Sequence, residues 1–407
     1  MLIFSDYSGI RLMKWGTYAE LLKNAQARNI ILLGLFAKIP IVAIPATLTL
    51  LVVVGLNAGF TWAGIINAAW MAGAAVGSPW QGRYMGRHGV RKLLRFILII
   101  QLMFWSSAAF LPLPLLAIAA FFGGVFCFAA FTIGRMAIAE LSVTENRHSA
   151  FALDAITTEL AYMSGPPLAV VVSASLSPQA AVVISGAIIM ALIIYYFIAN
   201  PRVVSKATNN TPDQRIAWGA FFKSRLSTSL LLTIMATFVI ASYEVLGLAA
   251  LKHFGHITWA AWFYIACGVA SLIGGVVYGG FNKPPATVLI CGLLAISTGM
   301  IGFSQNALAV CLLIIPAALL CSPVFSATAN DISRYAAPEM SGLAMGTYGS
   351  ALTAGNAIGF PLAGLMVDNF GFNIAFFSVG GLAFAVVVIA FGINTLFISE
   401  RSEVAAE

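Results

Sequence analysis

The chain has 407 residues, of which 60% are hydrophobic and 9% are charged, and its formal net charge is +7. Soluble domains carry roughly 25% charged residues, so this composition excludes an ordinary water-soluble domain. The sequence also contains no phosphate-binding loop and no nucleophile elbow, which argues against an enzyme; no catalytic residue is predicted.

Apolar stretches long enough to cross a membrane recur along the whole chain. About 20 apolar residues span the hydrocarbon core as a helix, and these stretches lack the alternation of a membrane β-strand. The sequence therefore predicts an all-α membrane protein with twelve transmembrane helices, called spans 1 to 12. Their predicted limits are 29–53, 60–80, 93–111, 113–139, 148–173, 178–199, 226–250, 257–281, 286–304, 307–334, 340–366 and 372–397.

The second half of the chain repeats the first. Thr61-Trp62-Ala63 recurs as Thr258-Trp259-Ala260, an offset of 197 residues. A repeat of this length in an apolar chain predicts two similar six-helix bundles related by a parallel internal repeat. The predicted units are a cytoplasmic segment (1–28), an N-terminal bundle (29–199), a polar cytoplasmic linker (200–224), a C-terminal bundle (225–397) and a cytoplasmic tail (398–407).

Basic residues concentrate in alternate loops, as the positive-inside rule describes for cytoplasmic loops. We therefore expect a multi-pass protein of the cell (inner) membrane with both termini in the cytoplasm. The basic surplus is explained by this topology and by contact with the lipid bilayer, and no nucleic-acid partner is expected. The histidines and cysteines show no metal-ligand spacing, so no metal and no cofactor are predicted.

The loop after span 2 carries a motif, Gly82-Arg83-Tyr84-Met85-Gly86-Arg87-His88-Gly89-Val90-Arg91. With the twelve spans and the repeat, it resembles the major facilitator superfamily, which implies two bundles that alternate access to a central site. In that family an acidic residue stands where this chain has Gly86, and it latches the cytoplasmic gate. The resemblance assigns Gly86 and Arg87 to the gate and implies that this latch is absent or built otherwise.

Span 5 contains Ser164-Gly165-Pro166-Pro167, which resembles the helix-packing motif of the family's exporters. Gly165 and Pro166 match that motif, so the resemblance favours the bacterial exporter-like branch.

Ionisable residues inside a bilayer are costly and by default mark function. At about 1.5 Å of rise per helical residue, depth pairs Lys38 with Glu159 and Arg135 with Asp154. Glu159 and Asp154 are candidate proton-coupling carboxylates, and Lys38 is a candidate substrate ligand. The alternative is that both pairs are structural ion pairs, with Arg135 at the cytoplasmic gate.

Further candidates lie in both halves. Glu244 is either a ligand for a cationic substrate or an interfacial carboxylate near Lys252. Tyr162, Asn356 and Trp70 are candidate substrate-binding groups, and the alternative for each is ordinary helix packing. Asp331 and Arg334 are three residues apart on span 10, so they can pair on one helix face at the gate.

The sequence favours a secondary transporter, expected to act as a monomer, that exports small amphiphilic organic molecules in exchange for protons. One alternative is a proton-coupled importer of a small polar or anionic solute. The other is a transport-inactive sensor or scaffold with the same fold.

Overall fold

The computed structural model describes residues 25–128, 130, 147–199, 225–279, 281, 284–335 and 341–404. Within these residues all regular secondary structure is helical. Helices occur at all twelve predicted spans. Their limits, from span 1 to span 12, are Ala25–Val42 with Ile44–Leu50, Phe60–His88, Val90–Ser107, Leu113–Val125, Arg147–Ser175, Pro178–Ala199, Arg225–His253, Ala260–Gly279, Thr287–Met300, Ala307–Tyr335, and Ser341–Val404 for spans 11 and 12 together.

Span 1 is broken where two prolines interrupt its hydrogen bonding. The helix breaks at Ala43, between Pro40 and Pro45, and the second segment begins at Ile44 with Pro45 in its first turn. Proline has no N–H to donate to the preceding turn, so a helix bends at such a position. A π-helical turn, Leu51–Gly55, then ends the span.

Span 4 is interrupted, although the sequence predicted a continuous helix over 113–139. Its helix ends at Val125, and residues 126–128 are not helical. Two buried glutamines from neighbouring spans bind the carbonyl groups that this break leaves without helical partners. Gln101 Nε2 donates to the carbonyls of Gly123 (2.8 Å) and Phe126 (2.9 Å), and Gln81 Nε2 donates to that of Val125 (2.7 Å). Unpaired carbonyls are costly in hydrocarbon, so these side chains stabilise the interruption.

The helices sort into a buried centre and an apolar periphery. Among the six long apolar segments given below, those of spans 1 and 7 are the most enclosed, with 83% of the 18-residue apolar stretch of each buried. Spans 3, 6, 9 and 12 present large exposed apolar side chains, such as Met103, Ile198 and Phe391. Six helical segments among the described residues are long and apolar enough to cross a membrane by themselves: Ile31–Gly55, Pro178–Ala199, Leu226–His253, Ile257–Gly279, Ala307–Ile332 and Thr347–Ile393.

The internal repeat is visible in how the second span of each half packs. A Cβ on Gly77 of span 2 would collide with the carbonyl oxygen of Val125 in span 4. A Cβ on Gly274 of span 8 would likewise collide with the carbonyl oxygen of Leu319 in span 10. Gly77 and Gly274 are 197 residues apart, which is the offset of the sequence repeat. Glycine at both positions allows the two helix backbones to touch.

Two connections consist of a single glycine. Gly89 (φ 83°, ψ 161°) joins spans 2 and 3, and Gly371 (φ 77°, ψ 166°) joins spans 11 and 12. This backbone region is essentially restricted to glycine, so each residue turns the chain sharply between two helices.

We call the end of the bundle that carries the connections between spans 1 and 2, 7 and 8, and 11 and 12 the distal end. Gly89, Ala199 and Arg225 lie toward the opposite, proximal end, since the helices run back and forth.

Candidate functional site

Polar side chains from both halves meet where span 5 packs on span 8. The carboxylate of Glu159 in span 5 faces the hydroxyl of Ser271 in span 8. Glu159 lies 12 residues after Arg147, roughly 18 Å along the helix, which is well inside the predicted membrane core. The contact therefore links the two bundles at depth through an ionisable group.

A second carboxylate, Glu244 of span 7, approaches the same place from the C-terminal half. Both Glu159 and Glu244 lie within electrostatic range of Tyr162 in span 5, and both also lie within range of Cys321 in span 10. Two acidic groups, one from each half, thus share the same neighbours.

This site has open space beside it. Tyr162 is 47% exposed, although it belongs to a helix between the two bundles. Glu159 and Glu244 are each partly exposed. The site can therefore admit water, protons or a small solute.

Aromatic and sulfur groups line the C-terminal side of the site. Tyr264 and Cys267 of span 8 lie within electrostatic range of Glu244. The hydroxyl of Tyr243 lies 3.6 Å from the Sγ atom of Cys321. Pockets for organic solutes combine such apolar walls with a few polar groups.

The structure does not bear out the alternative in which Lys38 and Glu159 form an ion pair. Lys38 has no exposed surface, and its Nζ atom donates to the hydroxyl oxygens of Thr157 and Thr158, at 3.0 Å in each case. Thr157 and Glu159 are two residues apart on one helix, so they point roughly 200° away from each other. Span 5 presents its threonines to span 1 and its glutamate to span 8.

One of the predicted substrate-binding groups takes part in helix packing, and another bonds within its own helix. Trp70 was predicted to bind substrate, but it is only 4% exposed and its ring packs 5.1 Å from that of Phe104 and 6.0 Å from that of Trp105. Asn356 is partly buried, and its amide donates to the carbonyl of Leu352 in its own helix at 3.2 Å. Tyr162 and Glu244, by contrast, belong to the site.

The alternative for Glu244 was an interfacial carboxylate near Lys252. The two residues are eight positions apart, roughly 12 Å along the helix. Lys252 Nζ instead donates to the carbonyl of Val53 at 3.0 Å. The structure therefore groups Glu244 with Tyr162, and not with Lys252.

The predicted pairing of Asp331 with Arg334 is also wrong. The Oδ2 atom of Asp331 accepts a hydrogen bond of 2.5 Å from the hydroxyl of Thr287 in span 9. Arg334 is exposed, and among the described residues no ion pair joins it to Asp331. Thr287 opens the helix of span 9 beside the end of span 10, so Asp331 is turned toward that neighbour.

Some predicted residues lie outside what the structure describes. Arg135 belongs to residues 131–146, which are not described. Asp154, Gly86 and Arg87 are placed in helices, but nothing is described of their side chains. The backbone of Gly165 packs on span 1, where a Cβ would meet the carbonyl of Ile39, and Pro166 beside it is buried.

Sequence reasoning missed Ser271, Tyr264, Cys267 and Cys321 as members of the site. Serine, tyrosine and cysteine do not stand out in an apolar helix as a charged residue does. None of these four residues belongs to a motif found in the sequence. Only the packing of span 5 on span 8 brings them to Glu159 and Glu244.

Comparison with known proteins agrees with this architecture. A family profile described as Major Facilitator Superfamily matches residues 29–283 and 245–404. The chain belongs to this superfamily, and it is a multi-pass membrane transporter of small molecules and not an enzyme. A search of curated proteins finds no significant match.

Solved structures share the fold at low sequence identity. A mutant of the nucleoside transporter NupG is 11% identical, with a TM-score of 0.74 over 89% of this chain and 98% of that chain. A D-xylose-proton symporter is 16% identical, with a TM-score of 0.68 over 90% and 97%. The human organic anion transporter MFSD10 is 15% identical, with a TM-score of 0.59 over 89% and 98%. These likenesses concern the fold alone.

Proposed function

We propose that the protein is a secondary transporter that exchanges protons for small amphiphilic organic molecules, with cations preferred, at the site between its two halves. The observation that carries this proposal is the placement of Glu159 and Glu244. One carboxylate comes from each half, and both lie within electrostatic range of the same tyrosine, Tyr162.

A carboxyl group in this position can hold either a proton or a cation. Because Glu159 faces Ser271 of the other half, movement of one bundle against the other changes its surroundings. Alternating access would then present the same group to each side of the membrane in turn. This is how proton binding and solute binding can be coupled at one site.

The charge around the site supports a cationic or neutral substrate. Lys38, the basic residue that would favour an anionic one, has no exposed surface and donates to two threonines. Import of an anion through Lys38 is therefore the weaker alternative. The Gly165-Pro166 motif favours export as the direction, and we propose the cell (inner) membrane with both termini in the cytoplasm as the location.

The test is proton movement in proteoliposomes that contain an internal pH dye. We expect amphiphilic cations to evoke a proton flux in wild type, and we expect Glu159→Gln and Glu244→Gln each to reduce it at least tenfold. Ser164→Ala is the matched control on span 5, because its hydroxyl bonds to the carbonyl of Leu160 in its own helix; it should leave the flux unchanged.

Three other outcomes would contradict the proposed function. Full flux in both glutamine variants would exclude these carboxylates as the coupling groups. A flux evoked only by anions or sugars, moving in the same direction as the proton, would favour an importer. A protein that moves none of the cations, anions or sugars tested would fit the sensor or scaffold alternative.

A further inference from the structure

The two halves are tied together at the distal end by a carboxylate that caps a helix of the other half. Asp368, near the end of span 11, accepts hydrogen bonds from the backbone N–H groups of Phe60 (Oδ1, 3.0 Å) and Thr61 (Oδ2, 2.7 Å). Phe60 is the first residue of the span 2 helix. The first N–H groups of a helix have no intrahelical acceptor and carry partial positive charge, so a bidentate carboxylate suits this helix end.

The backbones around this contact are nearly touching. A Cβ on Gly59 would collide with the Asp368 carboxylate, and a Cβ on Gly364 would collide with the carbonyl of Phe60. One turn further in, a Cβ on Gly64 would collide with the carbonyl of Phe360. Three glycines thus allow spans 2 and 11 to close on each other.

A second tie crosses the halves at the same end. Lys252, at the end of span 7, donates to the carbonyl of Val53 at the end of span 1, and its Nζ atom lies 5.9 Å from the centre of the Phe60 ring. We call Asp368, Phe60, Thr61, Lys252 and Val53 the distal clasp. It joins spans 1 and 2 to spans 7 and 11.

We propose that the distal clasp holds the two halves shut at the distal end and sets the resting conformation of the protein. The proposal rests on the alternating access proposed above, because the clasp can restrain the two halves only if they move relative to each other. Both hydrogen bonds of Asp368 and that of Lys252 must break before the distal end opens. Asp368 and Lys252 are exposed, so water can replace the broken bonds and the clasp can reverse.

Gly86 makes this arrangement consequential. In the family that this chain resembles, an acidic residue at the position of Gly86 latches the opposite gate, and this chain lacks that acid. A carboxylate that caps a helix of the other half is present at the distal end instead, which favours closure there.

Native cysteines report opening without any need for transport. Cys267 and Cys321 are buried, with 8% and 5% exposure, and belong to the site between the halves. Cys291 has no exposed surface and lies on span 9, so it reports general loosening. We would treat membrane vesicles of both orientations with an impermeant maleimide and measure the labelling rate of each cysteine by mass spectrometry.

We expect Asp368→Asn to speed the labelling of Cys267 and Cys321 about two- to fivefold, which is the shift that loss of a charge at a helix N-terminus produces. Asp368→Ala should have a larger effect because it also removes both hydrogen bonds. The increase should appear only when the reagent is added from the distal side, and Cys291 should not change.

Two further variants separate the clasp from a general loss of folding. Asn369→Ala is the matched control, because the Asn369 amide donates to the carbonyl of Leu365 in its own helix at 2.8 Å; it should label like wild type. Asp368→Glu keeps the charge and should retain slow labelling. Wild-type rates in both Asp368→Asn and Asp368→Ala would overturn the proposal, and so would an equal rise at Cys291. A failure of proton coupling in the flux assay would leave this labelling result unaffected, so the two proposals can fail separately.

Discussion

The Nζ atom of Lys38 lies 3.0 Å from the Oγ1 atom of Thr157, and this contact places a fully buried ammonium group between spans 1 and 5. A buried cation must be hydrogen-bonded, because hydrocarbon cannot solvate it. The threonines of span 5 therefore do more than fill space, and their removal should be measurable in stability.

Thr157→Val should lower the free energy of unfolding by about 1.5–3 kcal/mol, the range for a hydrogen bond to a charged group. Valine keeps the shape of the side chain and removes only the acceptor. The measurement is denaturant or thermal unfolding of the purified protein in detergent. The control is Thr353→Val, whose hydroxyl bonds to the carbonyl of Gly349 in its own helix at 3.1 Å. Equal stability of the two variants would contradict the prediction.

Gly371→Ala should destabilise the protein by about 1–3 kcal/mol, because φ is 77° at this position and an L side chain rarely adopts that conformation. There is room for a Cβ, since no atom lies within 4 Å, so the cost is conformational. Gly381→Ala, in span 12, also has open space but a helical backbone. It should be neutral or stabilising by up to about 1 kcal/mol. Thermal unfolding of both variants tests the contrast, and a neutral Gly371→Ala would refute it.

Gly274→Ala should destabilise by about 1–3 kcal/mol, because its Cβ would collide with the carbonyl oxygen of Leu319 and push span 8 away from span 10. Gly279→Ala lies on the same helix, and no atom lies within 4 Å of its added Cβ. A shift in the unfolding midpoint is therefore expected for Gly274→Ala alone. If the two substitutions behave alike, the close contact of spans 8 and 10 does not contribute to stability.

Gln101→Leu should destabilise by at least about 2 kcal/mol, because it leaves several groups without partners. The Gln101 amide binds the carbonyls of Gly123 and Phe126, and its oxygen accepts from the indole N–H of Trp105 at 2.7 Å. Gln179→Leu is the control, since its amide makes a single part-buried bond of 3.2 Å to the carbonyl of Gly55. Thermal or denaturant unfolding of both variants in detergent provides the readout. A smaller loss in Gln101→Leu than in Gln179→Leu would be incompatible with a supporting role at the break in span 4.

The twelve spans could be predicted from the sequence because the length of an apolar stretch is set by the thickness of the bilayer. The break at Ala43 likewise lies between two local signals, Pro40 and Pro45. These features depend on residues that are close together in the chain.

Features that depend on the direction of a side chain around its helix could not be predicted. Depth correctly placed Lys38 and Glu159 at similar levels, but depth says nothing about which neighbour each residue faces. Thr157 proved to face span 1 and Glu159 to face span 8. For the same reason Trp70 was assigned to the substrate site, whereas it packs against Phe104 and Trp105.

The break in span 4 has little local signal beyond Gly123-Gly124, since residues 126–128 are Phe, Cys and Phe. The side chains that stabilise it, Gln81 and Gln101, belong to other spans. A prediction from the sequence would have needed to pair two glutamines with carbonyl groups that any helix would normally satisfy by itself.

The position of those glutamines in the chain has a consequence for biosynthesis. Gln81 and Gln101 precede Gly123, Val125 and Phe126, so spans 2 and 3 leave the ribosome before the broken segment does. Their amide groups are already in the bilayer when span 4 is inserted. The irregular stretch therefore meets its hydrogen-bond donors on arrival and need not wait, exposed to lipid, for any part of the C-terminal half to be made.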